Sequence, residues 1–179
     1  MPKKELILKN EEKIQLNGLS RKDSPKELMV YINSLIEEKT FPNQNRKYTL
    51  REQKEWLRQK LIDTKRREYL YIIASKDGKM IASADARRLA LKMRGNVEIG
   101  IAILPEHRNK GLGRLLMNEI VSRAKTVMKP KNIFLTVDVK NEHAKKLYDE
   151  GGFRKIAVLP NWANHYGKYH DQEIRVLAR

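Results

Sequence analysis

Cysteine is absent from the 179 residues of this chain, and this absence excludes several kinds of chemistry. Without cysteine there is no disulfide, no thiolate-bound zinc and no cysteine nucleophile. Apolar runs are also short, and none approaches the roughly 20 residues that a membrane-spanning helix needs. The first apolar run, Leu6 to Leu8, is too short for the apolar region of a signal peptide. We therefore expect a cytoplasmic protein.

Internal repeats, low-complexity segments and linkers rich in proline or serine are absent as well. Apolar residues make up 40% of the chain, which is enough to build a core in a chain of this length. We therefore expect residues 1–179 to form one domain. The four histidines are scattered without the spacing of metal ligands, so we expect no bound metal.

Positive charge, in contrast, is abundant: 38 Lys and Arg face 22 Asp and Glu, for a net charge of +16. Such a charge attracts anions, whether nucleic acid, acidic membrane surfaces or phosphorylated small molecules. Residues 109–131 hold one acid, Glu119, and six basic residues: Lys110, Arg114, Arg123, Lys125, Lys129 and Lys131. This run fits either a solvated helix face or part of an anion site.

The order of the predicted elements indicates an α/β domain of the α+β type, with a largely antiparallel sheet. Ser24 and Pro25 have the pattern of a helix start, and Thr49 and Glu52 have the spacing of a capping box. Two further helices are predicted over residues 113–128 and 142–150. Strands are predicted in "ELILKNEEKIQL" (one strand, or two around a turn), "YLYIIAS", "KMIASADARRLALKM", "NVEIGIAIL", "NIFLTVDV", "FRKIAVL" and "DQEIRVLAR".

A loop with two glycines, Gly111 and Gly113, joins the strand "NVEIGIAIL" to an amphipathic helix. Glycine lets the backbone turn tightly and approach a ligand closely. The first amides of a helix have no intrahelical partner, and together with the helix dipole they can bind a phosphate. The spacing R-x-x-G-x-G differs from both common nucleotide-binding patterns. The loop is therefore either a phosphate site or a basic turn.

Two segments in this order resemble the GNAT acetyltransferase superfamily. "VEIGIAILPEHRNKGLGRLLMNEIV" is similar to its acetyl-CoA-binding segment, a strand followed by a Q/R-x-x-G-x-G/A loop and a helix. "LTVDVKNEHAKKLYDEGGF" is similar to its second segment, a strand followed by N-x-x-A-x-x-L-Y-x-x-x-G-F. The resemblance covers residues 80–158 and is looser elsewhere. It implies acetyl-CoA as cosubstrate and a GNAT-like mixed sheet of about seven strands flanked by about four helices.

The resemblance also implies which residues hold acetyl-CoA. The strand of Ile101, Ala102 and Ile103 splays from its neighbour in this family, and its free amides would bind the pantetheine arm. The pyrophosphate would be held by the backbone amides of Asn109, Lys110, Gly111, Leu112, Gly113 and Arg114, with support from the Arg108 side chain. Asn141 matches an asparagine that meets the cofactor, and Tyr148 matches a tyrosine near the thioester sulfur.

Acetyl transfer to an amine needs an acid, a base and a donor for the oxyanion. Tyr148 is the candidate acid, and a strand amide near Ile103 is the candidate oxyanion donor. The alternative for Tyr148 is a ring packed in the core. Strand alternation places Glu98 on the face of Gly100 and Ala102, which makes Glu98 a candidate base. A histidine of the last loop, a water chain and Asp138 are the other candidates, because Thr136 stands where some N-terminal acetyltransferases carry a glutamate base.

Two segments would line the acceptor groove if the resemblance holds: residues 37–48 and the loop "PNWANHYGKYHDQE". We predict acetyl-CoA-dependent N-acetylation of a primary amine, on a small molecule, a protein N-terminus or a lysine. A second hypothesis, based on charge alone, is a basic module that binds nucleic acid or the ribosome and has a non-catalytic CoA site, although no nucleic-acid-binding motif is present. The resemblance also suggests a homodimer.

Overall fold

The computed structural model describes residues 4–8, 11–38 and 45–178, and a single mixed sheet runs through this part of the chain. The strand order is β1-β2-β3-β4-β5-β6-β8-β7, and every neighbouring pair is antiparallel except β5 and β6. The strands are β1 Lys4–Ile7, β2 Lys13–Gly18, β3 Tyr69–Lys76, β4 Lys79–Arg88, β5 Asn96–Ile103, β6 Asn132–Asp138, β7 Phe153–His165 and β8 Lys168–Leu177. The helices are α1 Pro25–Glu37, α2 Leu50–Lys65, α3 Leu112–Arg123 and α4 Glu142–Glu150. The predicted fold class is confirmed.

The strand count is eight because the amino-terminal segment forms two strands. β1 pairs with β2 in an antiparallel ladder that joins Lys4 to Leu16 and Ile7 to Lys13. The residues between these strands include positions 9 and 10, which lie outside the described residues. Of the two interpretations of this segment, the hairpin is the one that the structure adopts.

Local signals place the helix starts where the sequence predicts them. The Ser24 side chain accepts a hydrogen bond from the Glu27 amide, with a proline at the first helical position. Thr49 and Glu52 form both hydrogen bonds of a capping box at the start of α2. The helix α3 continues into a π-helical turn over Ala124–Met128. No helix in the described part of the chain is long and apolar enough to cross a membrane.

Helices cover both faces of the sheet. On one face, α3 packs against β4, where Ala82, Ala84 and Ala86 are fully buried and their small side chains leave room for the helix. Tyr148 of α4 joins the same core. On the other face, α1 and α2 enclose a smaller apolar cluster built on Leu28, Leu57 and Ile73.

The last two strands are longer than the sequence suggests, because the expected loop between them is itself a hairpin. β7 and β8 pair as far as His165 and Lys168, with the turn at Tyr166 and Gly167. Both turn residues have positive φ, 50° and 82°, which is the conformation that a tight two-residue hairpin requires. The segment "PNWANHYGKYHDQE" is thus mostly strand, although the register of the two strands is irregular between Leu159 and Ala163.

Candidate functional site

The two parallel strands at the centre of the sheet separate after a short paired region. β5 pairs with β6 only where Asn96–Glu98 faces Asn132–Phe134. Beyond Glu98, the described residues of β5 pair only with β4, as far as Ile103, while β6 pairs with β8 as far as Asp138. The strands therefore diverge and leave one edge of β5 open along a cleft.

Two residues of β5 present their backbone groups to that cleft. The Leu104 amide donates to the Ile81 carbonyl across the β4 ladder at 3.0 Å. Because amide direction alternates along a strand, the Ala102 amide points toward β4 in the same way, and the amides of Ile101 and Ile103 point to the open edge. The Ala102 amide is therefore not available to the pantetheine arm, because it points toward β4. This corrects the expectation that Ala102 binds the cofactor through its amide.

The loop before α3 presents unpaired amides to the same cleft. The Arg108 amide donates to the Pro105 carbonyl at 3.1 Å, and backbone pairing resumes only when the Leu115 amide donates to Gly111 at 3.2 Å. Within the described residues, the amides at positions 109–114 between them have no hydrogen-bond partner. Gly111 is the helix cap with φ 84°, and no atom lies within 4 Å of the position that a Cβ would take there. The loop therefore has the donors and the free space that a phosphate needs.

The basic side chains of the loop are held by acids. Arg108 donates to both carboxylate oxygens of Glu38, with Nη2 at 2.6 Å from Oε2, and its Nε donates to the Ile103 carbonyl at 2.9 Å. The sequence predicts that the Arg108 side chain supports the pyrophosphate directly. In the structure its guanidinium makes three hydrogen bonds within the protein, and these fix the conformation of the loop. Lys110 lies 3.1 Å from Glu12, and hydrogen bonds from Lys110 and then Lys76 lower the pKa of that carboxyl.

Tyr148 lies on α4 with its ring packed edge-on to Phe153 at a centroid distance of 6.3 Å. The side chain is buried, and its hydroxyl has no hydrogen-bond partner among the described residues. Burial raises the pKa of Tyr148 to about 12, although the positive charge of Arg175 lowers it in part. The hydroxyl is therefore protonated at neutral pH, and the residue lines the cleft. The ring of Tyr148 is therefore packed in the core, and the role of its hydroxyl as an acid stays a prediction.

Asn141 is the cap of α4. Its side-chain oxygen accepts a hydrogen bond from the Ala144 amide at 3.0 Å, which satisfies one of the free donors at the helix start. The residue lines the cleft opposite the β5 edge. The helix cap uses the side-chain oxygen of Asn141 and leaves its side-chain nitrogen for another partner.

Glu98, the candidate base, forms an ion pair with its cross-strand neighbour Arg87. Asp138, the other acidic candidate, has its Oδ2 atom 2.7 Å from His170 Nδ1. Both acids therefore have a partner within the protein.

Asp85 is an acid of the cleft that sequence reasoning missed. It lies on β4 opposite Gly100, on the sheet face that carries Glu98, and it is surrounded on the β3 side by Tyr69 and Tyr71. Burial raises the pKa of Asp85 to about 7. A single aspartate in the run "MIASADA" gives no signal of this environment, because the register of β4 against β5 creates it.

The two predicted acceptor segments come together in the structure. The Tyr166 hydroxyl donates to the Ile36 carbonyl at 3.0 Å, and the Asn45 side chain donates to the Asn164 carbonyl at 3.1 Å. The hairpin of β7 and β8 thus contacts the end of α1 and the start of the segment before α2. Residues 39–44 of the first segment lie outside the described residues.

Residues 31–153 match the model of the acetyltransferase (GNAT) family. The matched residues include most of those that line the cleft described above. The chain therefore belongs to this family. The family match favours the first of the two functional hypotheses, and the nucleic-acid hypothesis gains no support from any comparison.

Curated relatives and solved structures extend this result. Over 76 residues the chain is 36% identical to the spermidine N(1)-acetyltransferase of Vibrio cholerae, covering 42% of this chain and 44% of the relative. Over 104 residues it is 24% identical to the N-alpha-acetyltransferase of Sulfurisphaera tokodaii, covering 53% and 62%. Each match spans less than two thirds of the relative. A protein from Salmonella typhimurium, solved with its cofactor acetyl-CoA, shares the fold with a TM-score of 0.78 at 17% identity over 92% of both chains.

Proposed function

We propose that this chain transfers the acetyl group of acetyl-CoA to a primary amine, by direct attack of the amine on the thioester. The acceptor is a small molecule, a protein N-terminus or a lysine. The observation that carries the proposal is the open edge of β5 beside the free amides of α3. These two sets of donors lie along one cleft, as an extended ligand with a phosphate group requires.

The residues present fit acetyl-CoA. The unpaired amides at positions 109–114 would hold the pyrophosphate, and Gly111 leaves the space for it. The edge amides of Ile101 and Ile103 would bind the pantetheine arm, and Asn141 would meet it from α4. Arg108 would act through its ion pair with Glu38, which fixes the loop. When bound, acetyl-CoA supplies an acetyl group that is activated as a thioester.

The residues around the thioester would supply the remaining chemistry. Tyr148 keeps its proton at neutral pH because its pKa is about 12, so it would donate a hydrogen bond or a proton to the departing sulfur. The amide near Ile103 would donate to the oxyanion as negative charge develops on the acetyl oxygen. No covalent enzyme intermediate is required, in agreement with a chain that has no cysteine.

The two relatives bear on two of these acceptor classes, a small amine and an α-amino group. One is a spermidine N(1)-acetyltransferase, and the other is an N-alpha-acetyltransferase. The acceptor would enter from the side of α1, α2 and the β7–β8 hairpin. Trp162, His165 and His170 line that side of the cleft.

Thermal unfolding with and without acetyl-CoA tests the cofactor part of the proposal. A ligand that binds only the folded protein stabilises it by about 2.7 kcal/mol at a concentration 100 times its Kd. We expect such a stabilisation with acetyl-CoA and much less with acetyl-pantetheine, which lacks the pyrophosphate. An unchanged Tm at millimolar acetyl-CoA would contradict the proposal. A salt-sensitive gel shift with RNA in its place would favour the nucleic-acid module.

A further inference from the structure

The carboxylate of Asp85 sits beside the open part of β5 that the thioester would occupy. Asp85 and Gly100 are paired across β4 and β5, one residue before the free amide of Ile101. A Cβ added at Gly100 would lie 2.8 Å from Asp85 Oδ1. Glycine at this position therefore leaves the space above the strand to the carboxylate and to any ligand that approaches it.

The wall around Asp85 is aromatic. Tyr71 is its cross-strand partner on β3, and Tyr69 stacks on Tyr71 with ring centroids 6.1 Å apart. Trp56 of α2 packs edge-on against Tyr71 at 5.3 Å. Rings of this kind attract a cation to their faces, and Lys60 Nζ already lies 4.5 Å from the Tyr69 centroid. An ammonium group beside Asp85 would therefore find both a carboxylate and aromatic faces.

Among the described carboxylates that line the cleft, Asp85 is the one with neither a hydrogen bond nor an ion pair. Glu98 is paired with Arg87, and Asp138 lies 2.7 Å from His170. Within the described residues, Asp85 makes no hydrogen bond and no ion pair, while its side chain stays partly open to the cleft. A buried acid that lacks a partner is costly for folding, so its presence points to a ligand that completes it.

We propose that Asp85 is the base that takes the proton of the acceptor ammonium group. The assignment rests on the proposed function, because it concerns the amine that attacks the thioester. One Oδ of Asp85 takes one proton from R–NH₃⁺, and the nitrogen lone pair then forms the bond to the acetyl carbon. The carbon–sulfur bond breaks with its electron pair on sulfur, which takes the Tyr148 proton. The nitrogen loses its second proton to the Tyr148 oxygen, and Asp85 returns its proton to water.

The titration of Asp85 agrees with this role. Burial raises its pKa to about 7, Arg87 lowers it, Glu98 raises it and Lys60 lowers it. In the described part of the chain, the other titratable groups that face it are tyrosines on α1 and β3: Tyr31, Tyr69 and Tyr71. A base with a pKa near neutrality is ionised in useful amount and still basic enough to accept a proton.

The pH profile of kcat/KM tests the assignment, with Asp85→Asn, Glu98→Gln and the hairpin variant Asp77→Asn compared with the wild type. In the wild type we expect the rate to fall as the pH drops through about 7. Asp85→Asn should lose this acid limb and about 100-fold in rate, with the Kd for acetyl-CoA within twofold. Glu98→Gln should keep the limb and move it to lower pH, because the charge of Glu98 raises the pKa of Asp85. Asp77→Asn, on an exposed turn, should match the wild type.

Carbon-13 NMR of the aspartate carboxyls in the unliganded protein gives a second readout, which does not depend on activity. One signal should titrate near pH 7 and be absent from Asp85→Asn. If that variant fails to fold, the pH profile of Glu98→Gln and the carboxyl titration of the wild type still test whether Asp85 is the base. An acid limb that survives in Asp85→Asn, or that vanishes in Glu98→Gln, would overturn the assignment while leaving the proposed function intact. A wild-type protein that acetylates no amine would overturn both the proposed function and the assignment of Asp85.

Discussion

Arg108 and Glu38 form a two-pronged ion pair that joins the loop before α3 to the end of α1. Arg108 Nη2 lies 2.6 Å from Glu38 Oε2, and the same guanidinium holds the Ile103 carbonyl through Nε at 2.9 Å. The pair therefore connects the end of β5, the proposed pyrophosphate loop and the acceptor side of the cleft. It makes the loop conformation depend on a residue 70 positions away in sequence.

Replacing Glu38 with Gln should weaken acetyl-CoA binding because the loop loses its charged anchor. We expect the Kd to rise roughly three- to tenfold, with a stability loss of about 1 kcal/mol, since the pair is partly exposed. Calorimetric titration with acetyl-CoA measures the first effect and thermal unfolding the second. The matched control is Glu37→Gln, because Glu37 pairs with Lys47 at an exposed surface. Equal effects of the two variants would mean that Arg108 does not shape the site.

Removing the Tyr148 hydroxyl should separate turnover from binding. In Tyr148→Phe the ring still packs against Phe153, so the fold and the Kd for acetyl-CoA should stay within twofold of the wild type. We expect kcat to fall about 100-fold, because the leaving sulfur loses its proton donor. Steady-state kinetics beside a binding titration with acetyl-CoA checks this. A parallel loss of binding and turnover would assign Tyr148 to the core alone.

A glutamate at Gly111 should block the pyrophosphate by charge and by volume. Gly78 offers a matched control, because it has a similar φ, 75° against 84°, and equally open surroundings at a distant turn. Both Gly→Glu variants should lose about 1–2 kcal/mol, since a side chain in the left-handed region is strained. Only Gly111→Glu should lose the thermal stabilisation by acetyl-CoA. Stabilisation that persists in that variant would place the pyrophosphate elsewhere.

Asp85 should make stability depend on pH even without ligands. Its pKa is raised in the folded state, so the protonated carboxyl favours folding below the unfolded value, and this contribution is lost as the pH rises through about 7. Asp85→Asn should therefore be more stable than the wild type at pH 8, by about 2–4 kcal/mol, and the gain should shrink toward pH 4. Thermal unfolding across this range measures the difference. A variant that is less stable than the wild type at pH 8 would show that the ionised carboxylate is stabilised in the fold.

The features that the sequence predicts well are local ones. The capping box of Thr49 and Glu52 is set by residues three positions apart, and the turn at Asp77 and Gly78 by two neighbours with positive φ. The glycine loop is likewise readable, because its strand, turn and helix follow one another. These signals place the proposed cofactor site without any knowledge of tertiary contacts.

The features that escape the sequence are pairings between distant residues. The alignment of Asp85 with Gly100 follows from the register of β4 against β5, and a shift by one residue would turn Asp85 to the other face. The Glu38 anchor of Arg108 depends on where α1 ends over the sheet. The sequence predicts a loop in place of the last hairpin, because the polar and aromatic residues there lack the alternation of a half-buried strand.

Release of free CoA from acetyl-CoA in the presence of amines shows whether this chain is an amine acetyltransferase. The screen would contain monoamines, polyamines, amino acids and peptides with free N-termini, each measured against a reaction without amine. We predict amine-dependent CoA release with at least one class, and its loss at low pH as the base becomes protonated. Binding of acetyl-CoA with no release of CoA above the amine-free rate for any class would contradict the proposed function, since the cleft would then hold the cofactor without transferring its acetyl group.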